Sequence, residues 1–420
     1  MIQRRSKELS ELHYSTAFWA NLGVSLFSFL IVVFGVAPLA AWFYEEPILR
    51  SLVPVIAISI ILDAFYVMPK TKLTKKLHFK PQAIVMISSS VIAGIVSIIL
   101  ASQGFGVWAL AYNGIIISLT SALLYTLYVS WKPKLVFDKT AFKELFGFGG
   151  FVLLQNIFNY LKNNIDYIMI GKLIGSSALG VYTLAFILTD TVRKQIMAVL
   201  DKVLFPIYSS MQDQPEVLGS YYMKVIKFNG LTLIPLMTGM VVFAREVIIV
   251  AFGPDWSEAV FPLQMLALGV VVHTASGTST AVLHSLGHAN IVFKVSVFVT
   301  VVFIVPAVVI GSYLGGINGV ALALFICKFF GLATIQRYIK RYLNITVWQM
   351  LNQVSKPFLV CSVLGIFLAL FKSKFEADLN SWLLLFIGGF ILVLVYGAYV
   401  YFVEKPLIEN MIRTIKNRKK

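Results

Sequence analysis

The chain has 420 residues, of which 59% are hydrophobic and only 13% charged, and its mean hydropathy is +0.85. Such a balance excludes an ordinary soluble globular protein, because apolar stretches long enough to cross a bilayer recur along the whole length. A net charge of +16, from 35 Lys and Arg against 19 Asp and Glu, would suggest nucleic acid in a soluble chain; here it asks which side of a membrane the positive charges occupy, and no nucleic-acid partner is expected.

In chain order, twelve spans are predicted: residues 16–43, 51–68, 83–101, 106–130, 146–170, 178–200, 225–244, 259–283, 291–313, 316–335, 358–371 and 382–403. The polar stretch Met1 to His13 precedes an apolar run too long for a signal-peptide core. With the connections numbered alternately, 28 Lys and Arg residues fall on one side and 5 on the other. The positive-inside rule then puts both termini of a multi-pass membrane protein in the cytoplasm. Trp19, Trp42, Trp108, Trp131, Trp256 and Trp382 lie near span ends, where an aromatic belt belongs. Trp348 lies in a connector, Asn344 to Lys356, that reads as a short interfacial helix.

An internal repeat organises the spans. Phe79-Lys80 before the third span matches Phe293-Lys294 before the ninth, and Gly106-Val107 matches Gly319-Val320 at nearly the same offset. Spans one to four then answer to spans seven to ten, and spans five and six have no counterpart before the first copy. The expected fold is an all-α polytopic membrane protein of about twelve helices in two pseudo-symmetric lobes. The first lobe (residues 1–135) is incomplete with four helices, the second (144–343) has six, a connector and C-terminal helix pair occupy 344–404, and a basic tail occupies 405–420.

The fifth span carries a dense polar row. Gln155, Asn159, Lys162 and Asp166 are spaced four, three and four apart and share one face of a helix. Polar groups at bilayer depth are costly and face a bundle interior or a wet cavity. Lys162 is a candidate cationic contact for a phosphate, with Asp166 pairing with it at rest; Asn156, Asn159, Asn163 and Asn164 are candidates for hydrogen bonds to sugars. Interhelical hydrogen bonds explain each Asn equally well, and snorkelling or mutual pairing explains Lys162 and Asp166.

Asp190, Arg193 and Lys194 end the sixth span, either as a surface ion pair or as a basic mouth for a phosphorylated headgroup. Lys328 sits deep in the tenth span, where it either snorkels or contacts substrate. His273 lies in a Ser/Thr-rich stretch that reads as a packing face more readily than as a proton carrier. Pro206, Pro235, Pro262 and Pro306 are expected to bend or end helices. Cys327 and Cys361 stand alone in apolar runs, and no nucleophile–base pair, P-loop or metal-ligand spacing is present, so no enzyme activity is expected. No cofactor is expected beyond coupling to H⁺ or Na⁺.

Several stretches, in order along nearly the whole chain, carry a family likeness: Ser15-Thr16-Ala17-Phe18-Trp19, Gly104 to Leu110, Asn164-Ile165-Asp166-Tyr167 through Gly171-Lys172-Leu173, Leu179-Gly180-Val181-Tyr182, Leu204-Phe205-Pro206 and Phe252-Gly253-Pro254-Asp255-Trp256. In these the chain resembles the Wzx-type polysaccharide flippases, in the branch associated with colanic acid, within the multidrug/oligosaccharidyl-lipid/polysaccharide exporter superfamily. The resemblance implies two six-helix lobes around a central cavity and the flipping of undecaprenyl-pyrophosphate-linked oligosaccharide, an exopolysaccharide or O-antigen repeat unit. It implies basic cavity residues that hold the pyrophosphate, for which Lys162, Lys172, Arg193 and Lys328 are the candidates. Members begin with two further helices, and Met1 to Arg5 resembles the loop after the second, so the chain is expected to lack that pair. The implied partners are the lipid-linked oligosaccharide, membrane lipids, and the polysaccharide polymerase and export machinery. Two rivals remain: a cation-coupled multidrug exporter, which calls for unpaired cavity carboxylates, and a non-transporting scaffold of envelope polysaccharide assembly.

Overall fold

A computed structural model of the protein describes residues 11–140, 142, 156–161, 163–376 and 378–404. These residues are helical and nine helices among them are long and apolar enough to cross a membrane. The chain divides into two compact units, Met1–Tyr160 and Leu161–Lys420.

In the first unit, α1 (Glu11–Tyr44), α2 (Leu49–Lys75), α3 (Phe79–Ser102) and α4 (Val107–Tyr128) form an up-and-down bundle with short connections. Glu45 and Leu77, with φ of 60° and 57°, turn the chain after α1 and α2. Burial is inverted relative to a soluble protein: Phe27, Phe34, Ile98, Leu110 and Leu127 point outward, while Ser89 and Ser121 are buried and hydrogen-bonded to each other at 3.1 Å. This is the pattern of helices in lipid, where backbone polarity is satisfied within the helix and the outer face is apolar. The start of α1 is anchored by Glu11, which meets Lys72 Nζ at 2.7 Å and accepts from Trp131 Nε1 at 2.6 Å.

In the second unit, α5 (Ile165–Leu173), α6 (Ser176–Phe186), α7 (Val192–Ser209), α8 (Pro215–Val242), α9 (Ala244–Phe252), α10 (Val260–Thr274), α11 (Ser279–Ser285), α12 (Ala289–Val299), α13 (Val305–Leu343), α14 (Val347–Phe375) and α15 (Ser381–Val403) surround a core of Tyr222, Ile226, Ile234, Phe243 and Leu368. Within α13 the helical path breaks at Gly315 and Gly316, the latter at φ 55°, so the element is two spans joined by a tight reversal. Gly311 and Gly319 bring their backbones together across that reversal, leaving no room for a Cβ on either.

Three departures from the sequence reading have local causes. The eighth span ends at Thr274 and resumes at Ser279. Between them Ser276 and Thr274 turn their hydroxyls onto the carbonyls of His273 and Val271, competing with the helical ladder. The Asn344 to Lys356 connector is no separate element: a capping box of Thr346 and Gln349 starts α14, which runs unbroken through the eleventh span. Pro235 lies inside the continuous α8, whereas Pro38 and Pro306 each follow a π-helical turn, Val32–Val36 and Thr300–Ile304. Each of those prolines lacks the N–H that would close the preceding α turn, which accounts for the widened ladder.

The C-terminal helices are fixed to α8 and α9 by polar ties. Lys227 pairs with the buried Glu404 at 2.6 Å, Lys372 with the buried Glu246 at 2.9 Å, and Tyr396 donates to the carbonyl of Leu231 at 3.0 Å. Against Gly388 of α15 the ring of Phe243 packs so closely that a Cβ there would overlap it.

Candidate functional site

The polar row of the fifth span is not one continuous helix face. Residues 156–161 are helical, Asn164 leaves the helix at φ −123° and ψ 14°, and α5 starts afresh at Ile165. The adjacent amides of Asn163 and Asn164 favour such a break, since Asn competes for backbone hydrogen bonds. Gln155 and Lys162 lie outside the described residues. Asn156 and Asn159 belong to the first unit, with Asn156 exposed. The restart places Asp166 in the first turn of α5 and Lys172 in its last, each suited to the helix dipole at that end. Lys172 is exposed and serves that helix end.

Asn163, Asp166, Arg193 and Lys328 line one cavity of about 470 Å³ in the second unit, together with Tyr182, Asp190, Lys194, His273, Ser296 and Thr300. Its walls come from α5, α6, α7, α10, α12 and α13. Two of the three π-helical turns, Ile187–Thr191 and Thr300–Ile304, contribute lining residues, and the first has no proline to explain it. Asp190, Arg193 and Lys194, three and four residues apart, stand together on one wall.

The charges of the cavity are unequally engaged. Asp166 accepts a 2.6 Å hydrogen bond from the hydroxyl of Tyr182, whose ring is buried against Tyr167 and Phe186. Tyr182 is a residue that no charge or spacing argument singled out, although it sits in one of the stretches that carry the family likeness. Asp190 is clamped twice: Arg193 Nε and Nη2 each lie 2.8 Å from its Oδ1, and Lys194 Nζ lies 2.8 Å from its Oδ2. The ammonium of Lys194 also stands 4.8 Å over the ring of Phe186. The surface ion pair expected of Asp190 and Arg193 is therefore a partly buried three-residue cluster, with Asp190 and Arg193 13% and 15% exposed.

Lys328 differs. It is open to the cavity, and among the described residues it has no hydrogen bond or ion pair, although Asp190, Arg193 and Asp166 lie within electrostatic range. Its aliphatic stem runs past Gly269 of α10, where a Cβ would touch Lys328 Cγ at 3.4 Å. With no side chain at Gly269, α10 lies directly against that stem. Among the described lining residues, two carboxylates against three cations leave one net positive charge, and the cation without a hydrogen bond or ion pair is Lys328. Such a site can hold an anion within reach of the Asn163 amide and the Ser296 hydroxyl, whereas the hydroxyls of Thr189 and Thr300 already donate to the carbonyls of Ala185 and Ser296.

The long apolar helices define a multi-pass membrane protein, with a half-open cavity of mixed polarity in its second unit. The family model for polysaccharide biosynthesis proteins matches residues 1–261, more than half of the chain, and the chain belongs to that family. The teichuronic acid biosynthesis protein TuaB of Bacillus subtilis is 28% identical over 376 residues, covering 87% of this chain and 75% of its own length. The succinoglycan biosynthesis transport protein ExoT of Rhizobium meliloti is 22% identical over 420 residues, covering 100% of this chain and 84% of its own. Among solved structures, an inward closed conformation of the lipid II flippase MurJ superposes with a TM-score of 0.66 at 17% identity, covering 97% of this chain and 86% of that one. At that identity the likeness is one of fold.

Proposed function

We propose that the protein is a flippase that carries undecaprenyl-pyrophosphate-linked oligosaccharide, an exopolysaccharide or O-antigen repeat unit, across the bacterial cytoplasmic membrane by alternating access. The observation that carries this reading is the uncommitted Lys328 in a cavity whose carboxylates are already satisfied. A pyrophosphate at bilayer depth needs cationic and hydrogen-bonding partners, because an unpaired anion in hydrocarbon is prohibitive. Lys328 supplies the charge, Arg193 and Lys194 set a positive field beside it, and the hydroxyl and amide groups meet the sugars, while the polyprenyl tail stays in lipid. Family membership, the transport function printed for ExoT and the MurJ-like fold support the same assignment.

An organic cation would need a carboxylate free to receive it. Asp190 is paired with both Arg193 and Lys194, and Asp166, which keeps its charge under the Tyr182 hydrogen bond, faces a described lining with an excess of cations, which disfavours the multidrug-exporter reading. The strong asymmetry of Lys and Arg supports cytoplasmic termini. Transport of this kind makes and breaks no covalent bond. The test is restoration of surface polysaccharide export in a strain lacking its own flippase. Export restored by the wild type and lost with Lys328→Met supports the assignment; export that the wild type never restores, with the protein present in the membrane, contradicts it.

A further inference from the structure

The first unit holds a second cavity of about 330 Å³, lined by Tyr66, Lys70, Gln82, Met86, Ser90 and Tyr125 among others. It lies between α2, α3 and α4 and shares no lining residue with the cavity of the second unit. Lys70 is near the end of α2, Gln82 in the first turn of α3 and Tyr125 in the last turn of α4, so its polar rim is at the helix ends. Met86, Ser90 and Ile117 carry it further along the helices toward apolar surface. Beside the rim, the end of α2 carries Lys72 and Lys75, the connection Lys76 and the start of α3 Lys80.

We infer that this cavity binds the phosphate headgroup of an anionic phospholipid of the bilayer. The rings of Tyr66 and Tyr125 stack at 5.5 Å and 16°, forming a rigid wall, and Lys70 Nζ stands 5.9 Å from the centroid of Tyr66. Lys70 is exposed and has no ion pair among the described residues; the carboxylate of Glu11 is taken by Lys72. Among the described residues no carboxylate lines the cavity; that of Asp63, the nearest partner of Tyr66, is not in the lining. A cationic rim, an aromatic wall and an apolar floor, in that order along the helices, match a phosphate, a glycerol backbone and the start of an acyl chain.

The same lining argues against a glycan. The Gln82 amide donates to the carbonyl of His78 at 3.2 Å and its oxygen accepts from Thr74 at 3.3 Å, and Ser121 donates to Ser89. With these groups engaged, few donors remain for a sugar, and one lysine suits one negative charge.

Native mass spectrometry of the purified protein, titrated with phosphatidylglycerol and with phosphatidylcholine of the same acyl chains, tests this. The wild type retains one phosphatidylglycerol about fivefold more tightly than phosphatidylcholine, the ratio set by one lysine at a membrane surface. Lys70→Gln abolishes that preference, Ser90→Phe fills the cavity and weakens both lipids, and Lys76→Gln, on the exposed turn outside the cavity, changes nothing. The inference is overturned if Lys70→Gln keeps the preference or if Lys76→Gln removes as much of it. It is overturned equally if undecaprenyl phosphate displaces phosphatidylglycerol at equal concentration, since the site would then serve the carrier lipid. Lys70 is exposed, so its variant folds and decides the matter even where Ser90→Phe does not.

Discussion

Replacing Lys328 with methionine isolates its charge. Methionine keeps an unbranched stem beside Gly269, so packing against α10 is retained while the ammonium is lost. The described lining then holds two carboxylates and two cations, all four already engaged with one another or with Tyr182, and its net positive charge falls to zero. A charge-assisted hydrogen bond to a phosphate oxygen contributes about 1.5–3 kcal/mol, which corresponds to roughly 10- to 150-fold in affinity. The assay is flipping of a labelled polyprenyl-pyrophosphate oligosaccharide in proteoliposomes, with the initial rate followed against substrate concentration. A loss in that range, with unchanged thermal stability, is expected; Lys328→Arg, which keeps the charge, retains most of the activity. A Lys328→Met rate within twofold of wild type would refute the role given to this residue.

Three further outcomes follow from the packing. Arg193→Met destabilises the protein by about 1–3 kcal/mol, whereas Lys194→Met costs less than about 1 kcal/mol, because Lys194 is 56% exposed and largely screened. Thermal denaturation in detergent separates the two, and equal effects would mean that Asp190 is held by both alike. Lys372→Met leaves Glu246, whose side chain is 3% exposed, without its cation and costs about 3–5 kcal/mol; adding Glu246→Gln recovers much of the loss in the same assay. Gly388→Ala forces the Phe243 ring aside and lowers stability by about 1–3 kcal/mol, and an unchanged melting temperature would show that the ring moves freely.

The long apolar runs made the helices legible because a bilayer demands length and hydrophobicity, both one-dimensional properties. Asp190 and Arg193 were legible as a pair because three residues on a helix bring side chains together. Asp166 was not: its partner Tyr182 stands 16 residues on, across the turn at Gly175, a contact that no periodicity encodes. The expectation of one polar face failed at Asn164, where two successive Asn residues end the helix and reset its phase. Lys328 looked like one snorkelling candidate among several. Its standing as the uncommitted cation depends on the prior engagement of Arg193 and Lys194, a property of the packed second unit. The Lys372–Glu246 tie spans 126 residues and was equally invisible.

The central claim is that the cargo is an anionic lipid-linked glycan. The most direct measurement is reconstitution of the purified protein into liposomes carrying undecaprenyl-pyrophosphate oligosaccharide in one leaflet, with the appearance of the glycan in the other read by an enzyme that cannot cross the membrane. Protein-dependent appearance, competed by other polyprenyl-pyrophosphate glycans and indifferent to organic cations, is the predicted result. Transport of organic cations with no movement of the glycan would contradict it.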